Sequence, residues 1–451
     1  MSLKVEYTSG FPELLKFRRD PTAYVGDLGR RSVDVWNFRW SWRNLFLVNN
    51  PELIQNILVT HDWNFIKGRG LRNSRPMLGE GLLTSEGELH RRQRRLAQPG
   101  FHSARLAHYA DEIVACAADL IEEWKSKDVE AKRAPTVVSE EMMRLTLRIV
   151  GLTLFSADVT KEASTVGDSL TAALKVFLHL NHPFVQMIGP LKRFNERRAR
   201  EARHGIEAVL LEIIEQHRRE PERYDDMLSL LMSAHDEMGT NYMSNELLLD
   251  ECLTIFLAGH ETTANALSWT WYLLSNNPEA EAKLHAELAQ TLDGRLPTLD
   301  DMPRLPYTTA IVRESLRLYP PAWVISREAV TPYRLEEIEV PAGANLILSP
   351  FATQRDPRFW PEAESFRPER WLDNDVENLS ATRHRFAFFP FGAGTRVCIG
   401  EHFAMMEAVM VIAAMAQSFR LRLAPGHKVE MWPQITLRSR HPMVFDVERR
   451  S

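Results

Sequence analysis

The sequence predicts a mainly α fold with a minor β region (α+β), and three observations lead there. Helical periodicity fills the middle of the chain, short alternating stretches are confined to its two ends, and one segment from Ser244 to about Ser275 is long enough to cross a whole domain, at roughly 45 Å. No internal repeat, low-complexity tract or Gly/Ser linker divides the 451 residues. A single unit over 1–451 is therefore expected, β-rich at about 24–60 and 320–450, α-rich between these and around Cys398.

In chain order, Tyr24 to Leu58 ("YVGDLGRRSVDVWNFRWSWRNLFLV" and on) alternates apolar and polar residues as half-buried strands do, and ends in a helix through "NPELIQNIL". Helices then follow over Leu89–Leu96, Leu106–Trp124, Ser139–Leu154, Thr165–Leu180, Leu191–Arg218 and Met227–Ala234, with loops rich in Pro and Asp between them. The long helix has Ser244 as N-cap, Glu246 and Asp250 in its early turns, and Asn276, Asn277 and Pro278 as its stop. Asn277 then caps the next helix, with Pro278 at its first position. After Pro320 and Pro321, "YRLEEIEVPAGANLILS" reads as short strands; the last helix follows Cys398, and "ITLRSRHPMVFDVE" returns to strand.

Composition removes several classes of function. A net charge of −5 with acids and bases nearly balanced gives no ground for nucleic-acid binding. The cysteines Cys116, Cys252 and Cys398 are too few and scattered for a disulfide framework or a zinc site, which fits a reducing cytoplasm. The N-terminus lacks the pattern of a secretory signal, and the longest apolar run near the C-terminus, Ala408 to Ala416, falls well short of the roughly 20 residues of a membrane span. A soluble, cytoplasmic chain of bacterial style, without a membrane anchor, is expected.

The most specific stretch is "FPFGAGTRVCIG", Phe389 to Gly400. Cys398 stands at the start of the helix "EHFAMMEAVMVIAAMAQSF", near free N–H groups and the positive dipole end, a setting that favours a thiolate. Gly392, Gly394 and Gly400 let the backbone approach something flat and bulky, and Arg396 offers a fixed cation for an anionic group. Cys116 and Cys252 occupy apolar helical positions and read as small core hydrophobes.

The pattern Phe391, Gly394, Arg396, Cys398, Gly400 resembles the haem-binding signature of the cytochrome P450 family. The resemblance implies a single haem domain of the cytochrome P450 fold, with a long central helix over the haem. Cys398 would be the proximal ligand to the iron of haem b, pushing electron density toward bound oxygen. Phe391 would pack beside the ligand, Gly400 would line the haem, and Arg396 would hold a propionate.

Other family elements occur in the expected order. Glu314 and Arg317 of "RESLR", three apart on one helical face, and Arg370 of "FRPERW" match the family's buried triad, whose role would be to hold the core below the haem. "GELHRRQRRLAQPGFH" resembles the helix that crosses the haem edge; His90 and Arg94 match propionate-binding positions, as does Arg327 of "WVISREA". Many members carry Trp where this chain has His90, whereas many bacterial members carry His. Arg91, Arg92 and Arg95 would point partly away, toward solvent or an acidic electron donor.

Within the long helix, "FLAGHETTANAL" (Phe256 to Leu267) matches the oxygen-binding segment. Ala258 and Gly259 would lie against the haem, Gly259 leaving room for dioxygen and letting the helix open locally. Thr262 would hydrogen-bond bound dioxygen or its water, and Glu261 would feed protons inward as the acid of an acid–alcohol pair. "HETTA" is not a zinc-protease motif, because Ala264 stands where the second metal ligand must be. His260 is left without a catalytic role, and Thr263 is expected to pack or back-bond to the helix.

By resemblance the chain is a monooxygenase that puts one atom of dioxygen into a hydrophobic small molecule of fatty-acid, terpenoid or aromatic type. It has no nucleotide-binding fingerprint, iron–sulfur cluster or flavin domain, so electrons from NAD(P)H would arrive through a ferredoxin or flavodoxin with its reductase, to a monomer. Phe256, Leu257, Ala322, Trp323, Val324 and Ile325 are expected to line the pocket, with Leu174–Gly189 and the loop Met77–Leu82 closing over it. The intact Glu261–Thr262 pair argues against a peroxygenase, an isomerase or a non-catalytic haem sensor.

Overall fold

A computed structural model describes residues 3–450 apart from 10, 41–42, 130–134, most of 163–187, 234–242 and 373–382. Strands from the two ends of the chain meet in one six-stranded sheet, in the spatial order Val5–Ser9, Val35–Trp40, Arg43–Val48, Asn345–Leu348, Ile325–Ala329, Phe65–Lys67. The last two pair antiparallel with Lys67 opposite Arg327, which sets two basic residues side by side at the edge of the sheet.

Not all of the N-terminal region is strand. Tyr24 to Arg30 belongs to a helix, Pro21–Arg30, started by Asp20, whose side chain accepts from Ala23 N at 2.9 Å, and by Pro21 in the first turn. The apparent alternation of "YVGDLG" is a helical face: Val25 and Leu28, three apart, are buried against Phe351. Gly29 allows this approach, because a Cβ there would lie 2.5 Å from the Ala352 carbonyl oxygen. A strand at Val5–Ser9 and a helix at Phe11–Arg19 precede it.

The central helix runs Asn245–Asn276, and Ser244 caps it by accepting from Leu247 N at 3.2 Å. Asn277 stands at the N-cap of its successor, Pro278–Leu292, and its carbonyl accepts from Glu281 N at 3.1 Å, but its side chain does not cap: it donates to Leu273 O at 2.7 Å and so closes the central helix. Four other helices frame the center: Ser103–Val129, Val138–Phe155, Pro306–Leu318 and Glu401–Ser418. Buried Trp269 stacks on Tyr319 with ring centroids 4.2 Å apart and donates to Leu437 O at 3.0 Å, tying the central helix to the C-terminal hairpin Met431–Pro433/Leu437–Ser439. Cys116 and Cys252 are core residues, and burial pushes the Cys116 thiol up to about 12. Thr165–Leu180, expected as a helix, lies mostly outside the described residues.

Candidate active site

Cys398 sits between a 3-10 turn at Gly394–Arg396 and the helix Glu401–Ser418, and its N–H donates to Phe391 O at 2.9 Å. Gly392 and Gly394 both have φ +71°. A Cβ on Gly394 would lie 1.9 Å from Leu58 O, so this glycine clears space for the Asn56–Thr60 turn. Cys398 presents accessible surface although it lies deep in the fold. Burial pushes the thiol above its ordinary value, while the Gly400 N–H and Arg94 act in the opposite direction. Metal coordination is what would displace that proton.

Beside the cysteine loop lies a cluster of bases. Arg94, on the helix Gly87–Ala97, donates to Val397 O at 2.7 Å. Arg396 pairs with Glu86 at 2.8 Å, but its Nε is buried without a hydrogen-bond partner. Arg327 is buried; desolvation and the charge of Arg396 bring it down to about 10. His90 is held at about 3 by burial and by Lys67, Arg396, Arg94 and Arg327, so it is neutral.

Sequence reasoning missed Lys67 and Glu86. Lys67 is buried, donates to Leu82 O at 2.8 Å and Ser85 O at 2.6 Å, and is brought down to about 7 chiefly by desolvation; its backbone N–H bonds the Glu86 carboxylate. The signal was there in "FIK", whose alternation turns Phe65 and Lys67 to the same buried side. Four basic side chains thus gather around the Glu86 carboxylate, with Asp62 and Glu251 acting more weakly on Arg327 and Lys67, and the buried Nε of Arg396 stays open. The cluster lacks an anion. An accessible thiol next to it gives a donor set that fits haem, whose iron takes a soft sulfur ligand and whose ring carries two carboxylates.

On the central helix, Ala258 is exposed although Phe256, His260 and Glu261 around it are buried; Leu257, Gly259 and Thr262 are partly accessible beside it. Thr262 Oγ1 donates to Ala258 O at 2.6 Å, the local backbone bond expected of a threonine here. Gly259 has a packing part that the sequence did not show. A Cβ there would lie 2.9 Å from Val150 Cγ2 on the neighbouring helix, so the glycine makes room for Val138–Phe155, and the small residue facing the opening is Ala258. Gly259→Ala should lose about 1 kcal/mol of stability or more from this overlap despite a gain of about 1 kcal/mol in helix propensity. Thermal unfolding of Gly259→Ala with and without Val150→Ala checks this; recovery in the double variant is the expected result.

Phe256 is no pocket residue either: it is fully buried, edge-on to Phe155 at 5.8 Å. His260 packs against Val138–Phe155, its carbonyl accepting from Thr146 Oγ1 at 3.0 Å, and burial lowers it to about 4. Thr263 is buried beside Glu407, a carboxyl that burial raises well above its usual range and whose oxygens make no hydrogen bond of regular geometry. Glu261 Oε1 accepts from Arg438 Nε at 2.7 Å and from the Thr436 hydroxyl.

Above the accessible strip, Met77, Leu78, Val176 and Ala199 form an apolar cluster that Leu257 and Ile435 join. Most of the expected lid Leu174–Gly189 lies outside the described residues. Ala322, Val324 and Ile325 are half-buried, and Ile325 reaches toward Gly392 in the cysteine loop, 3.5 Å from where a Cβ would be. Trp323 turns the other way, into the core with Val25 and Trp36, where its Nε1 donates to Gln434 O at 2.9 Å.

Glu314, Arg317 and Arg370 lie together and fully buried. Arg317 donates to both Glu314 oxygens at 2.9 and 2.7 Å, Arg370 Nε to Oε1 at 3.0 Å and Trp371 Nε1 to Oε2 at 2.9 Å. Burial would raise the Glu314 carboxyl, but Arg317 and Arg370 hold it below its ordinary range.

Comparison with known proteins agrees with this geometry. The family model "Cytochrome P450" matches residues 11–444. The chain is 35% identical over 426 residues to cyclooctatin synthase of Streptomyces melanosporofaciens, covering 94% of this chain and 90% of that protein. Cyclooctat-9-en-7-ol 5-monooxygenase of the same organism is 33% identical, with 90% and 86% covered. Pentalenene oxygenase of Streptomyces avermitilis is also 33% identical, with 91% and 89% covered. The mainly α fold with its minor β region, the accessible cysteine before the Glu401–Ser418 helix and a match over nearly the whole length agree: the chain belongs to the cytochrome P450 family and is a haem-dependent monooxygenase.

Proposed function

We propose that this protein hydroxylates a hydrophobic, terpenoid-like carbocycle, using electrons passed from NAD(P)H through a separate ferredoxin or flavodoxin and its reductase, as a cytoplasmic monomer. The observation that carries the reading is an accessible Cys398 together with accessible Leu257, Ala258, Gly259 and Thr262 in the largely buried middle of the central helix. The substrate class rests on the apolar cluster over that strip and on relatives named for a cyclic alkenol and for pentalenene. The overall reaction consumes dioxygen, two electrons and two protons, and yields an alcohol and water.

When bound, haem would supply the redox chemistry; Cys398 would hold its iron through the thiolate sulfur, Lys67, Arg94, Arg327 and Arg396 would answer its carboxylates, and neutral His90 would donate a hydrogen bond to one of them. The chain's own residues do the rest. Leu257, Met77, Leu78, Ile435 and Ile325 exclude water and hold an apolar substrate. Thr262 turns its hydroxyl from Ala258 O to the oxygen side, where it fixes a donor and a water. Glu261, behind it, restores each proton from solvent. Arg91 and Arg95, exposed on the same helix as Arg94, favour an acidic electron donor.

In Thr262→Ala the hydroxyl is lost while Glu261 remains and water can take over part of the relay, so product per reductant should fall by about tenfold, less than the roughly 100-fold or more of a positioned proton donor. Hydrogen peroxide should rise to match. Parallel measurement of NAD(P)H, peroxide and product decides it; wild-type coupling would remove the role given to Thr262.

A further inference from the structure

We infer that Arg438 and Thr436, on the C-terminal hairpin, are positioning residues for proton delivery: they fix one oxygen of Glu261 so that the other serves the relay toward Thr262. This rests on the reading of Glu261 as the acid of that relay. Both donors meet Oε1, Arg438 Nε at 2.7 Å and the Thr436 hydroxyl, which leaves Oε2 to take up and release the proton. The direction of the Thr436 hydroxyl is set by its other neighbour: Asn265 Nδ2 donates to Oγ1 at 3.4 Å and to Glu261 O at 2.9 Å, so the hydroxyl proton points at the carboxylate. Arg438 Nη2 is buried without a partner beside the acid, a donor suited to hold a water of the relay.

The hairpin does not need this ion pair to stay in place. Trp269 Nε1 donates to Leu437 O at 3.0 Å, Leu437 N to Pro321 O at 2.9 Å and Trp323 Nε1 to Gln434 O at 2.9 Å, so the turn is fastened on both sides of Thr436. A rigid turn fixes a carboxylate better than a long side chain on a mobile loop does. Between Gln434 and Thr436, Ile435 joins the apolar cluster of Met77 and Leu78, so a substrate that packs under this cluster touches the same turn that orients the acid.

The test compares Arg438→Met, Arg438→Lys, Glu261→Gln and the Glu261→Gln/Arg438→Met double variant as holoenzymes. The probe is the compound of a terpenoid library that gives the largest spin-state shift. In Arg438→Met, product per reductant should fall by about threefold to tenfold with peroxide rising, a share of the effect of a proton donor. Probe affinity should stay within about twofold, because ground-state binding is untouched. Arg438→Lys should recover much of the coupling, and Arg438→Met should add nothing once Glu261 is Gln. Crystals of Arg438→Met should show the Glu261 carboxylate in a new orientation. Full coupling in Arg438→Met while Glu261→Gln uncouples, multiplied losses in the double variant, or an unmoved carboxylate would each overturn the inference. Full coupling in Glu261→Gln would instead remove the acid reading beneath it.

Discussion

Cys398→Ser is expected to bind haem without the thiolate-type absorption of the reduced, CO-bound protein and to lose monooxygenase activity by more than about 100-fold, above the 10- to 100-fold typical of losing a residue that merely supports a metal ligand. The geometry explains why no neighbour can take over. Cys116 and Cys252 are buried in the helical core, and His90, the base nearest in character to an iron ligand, stands in the cation cluster on the Gly87–Ala97 helix. A serine would keep the turn, since the bond from residue 398 N to Phe391 O does not involve the side chain. Its alkoxide is far harder to form than a thiolate, in a place where burial already pushes even the thiol up. Absorption spectra of the two proteins at equal haem content decide this; an unchanged CO spectrum in Cys398→Ser would dismiss Cys398 as ligand. Cys252→Ala serves as control and should leave the spectrum as it is.

What could be read in the sequence depended on how locally each feature is encoded. Ser244 and Pro278 marked the ends of the central helix because capping is decided within one turn. Cys398 and the Glu314–Arg317 pair were legible because their spacing lies within one loop or one helix turn. Residues that face a partner from elsewhere in the chain were misjudged. The packing of Gly259 on Val150 was missed because nothing in "AGHETT" names a residue more than a hundred positions earlier. Phe256 and Trp323 were given to the pocket by the segments they stand in, which do not say which side of a helix or sheet edge meets the core. The Asp20–Pro21 helix start was hidden by a chance alternation. Arg438 and Lys67, placed beside the site by strand pairing and the return of the C-terminus, carry no local mark of chemistry beyond their charge in a short strand.

Glu314→Gln should prevent recovery of stable holoprotein. Arg317 and Arg370 are fully buried, and Glu314 is the carboxylate that accepts from both, as well as from Trp371 Nε1 and Arg367 N. Gln removes the charge and turns one acceptor into a donor facing guanidinium groups. Breaking a buried pair on one side costs about 3–5 kcal/mol, a large part of the roughly 5–15 kcal/mol that holds a folded domain. The damage extends beyond the pair: Arg317 also donates to Gln354 O, Ala363 O and Ser365 O, and Gln354 Oε1 accepts from Phe389 N at the start of the cysteine loop. A loosened Arg317 therefore reaches the haem ligand through one glutamine. The pH dependence has a definite sign. Because the folded carboxyl lies below its ordinary 4.5, the contribution of Glu314 is complete above about pH 4.5 and is lost as the pH falls through the depressed folded value. Wild type should thus release haem on acidification with a step that Glu88→Gln, which removes only an exposed partner of Arg91, leaves in place. Haem content after expression and acid-release curves measure both effects. Normal haem content and unchanged thermal unfolding in Glu314→Gln would mean that the hydrogen bonds of the two arginines to backbone carbonyls hold this core without the carboxylate.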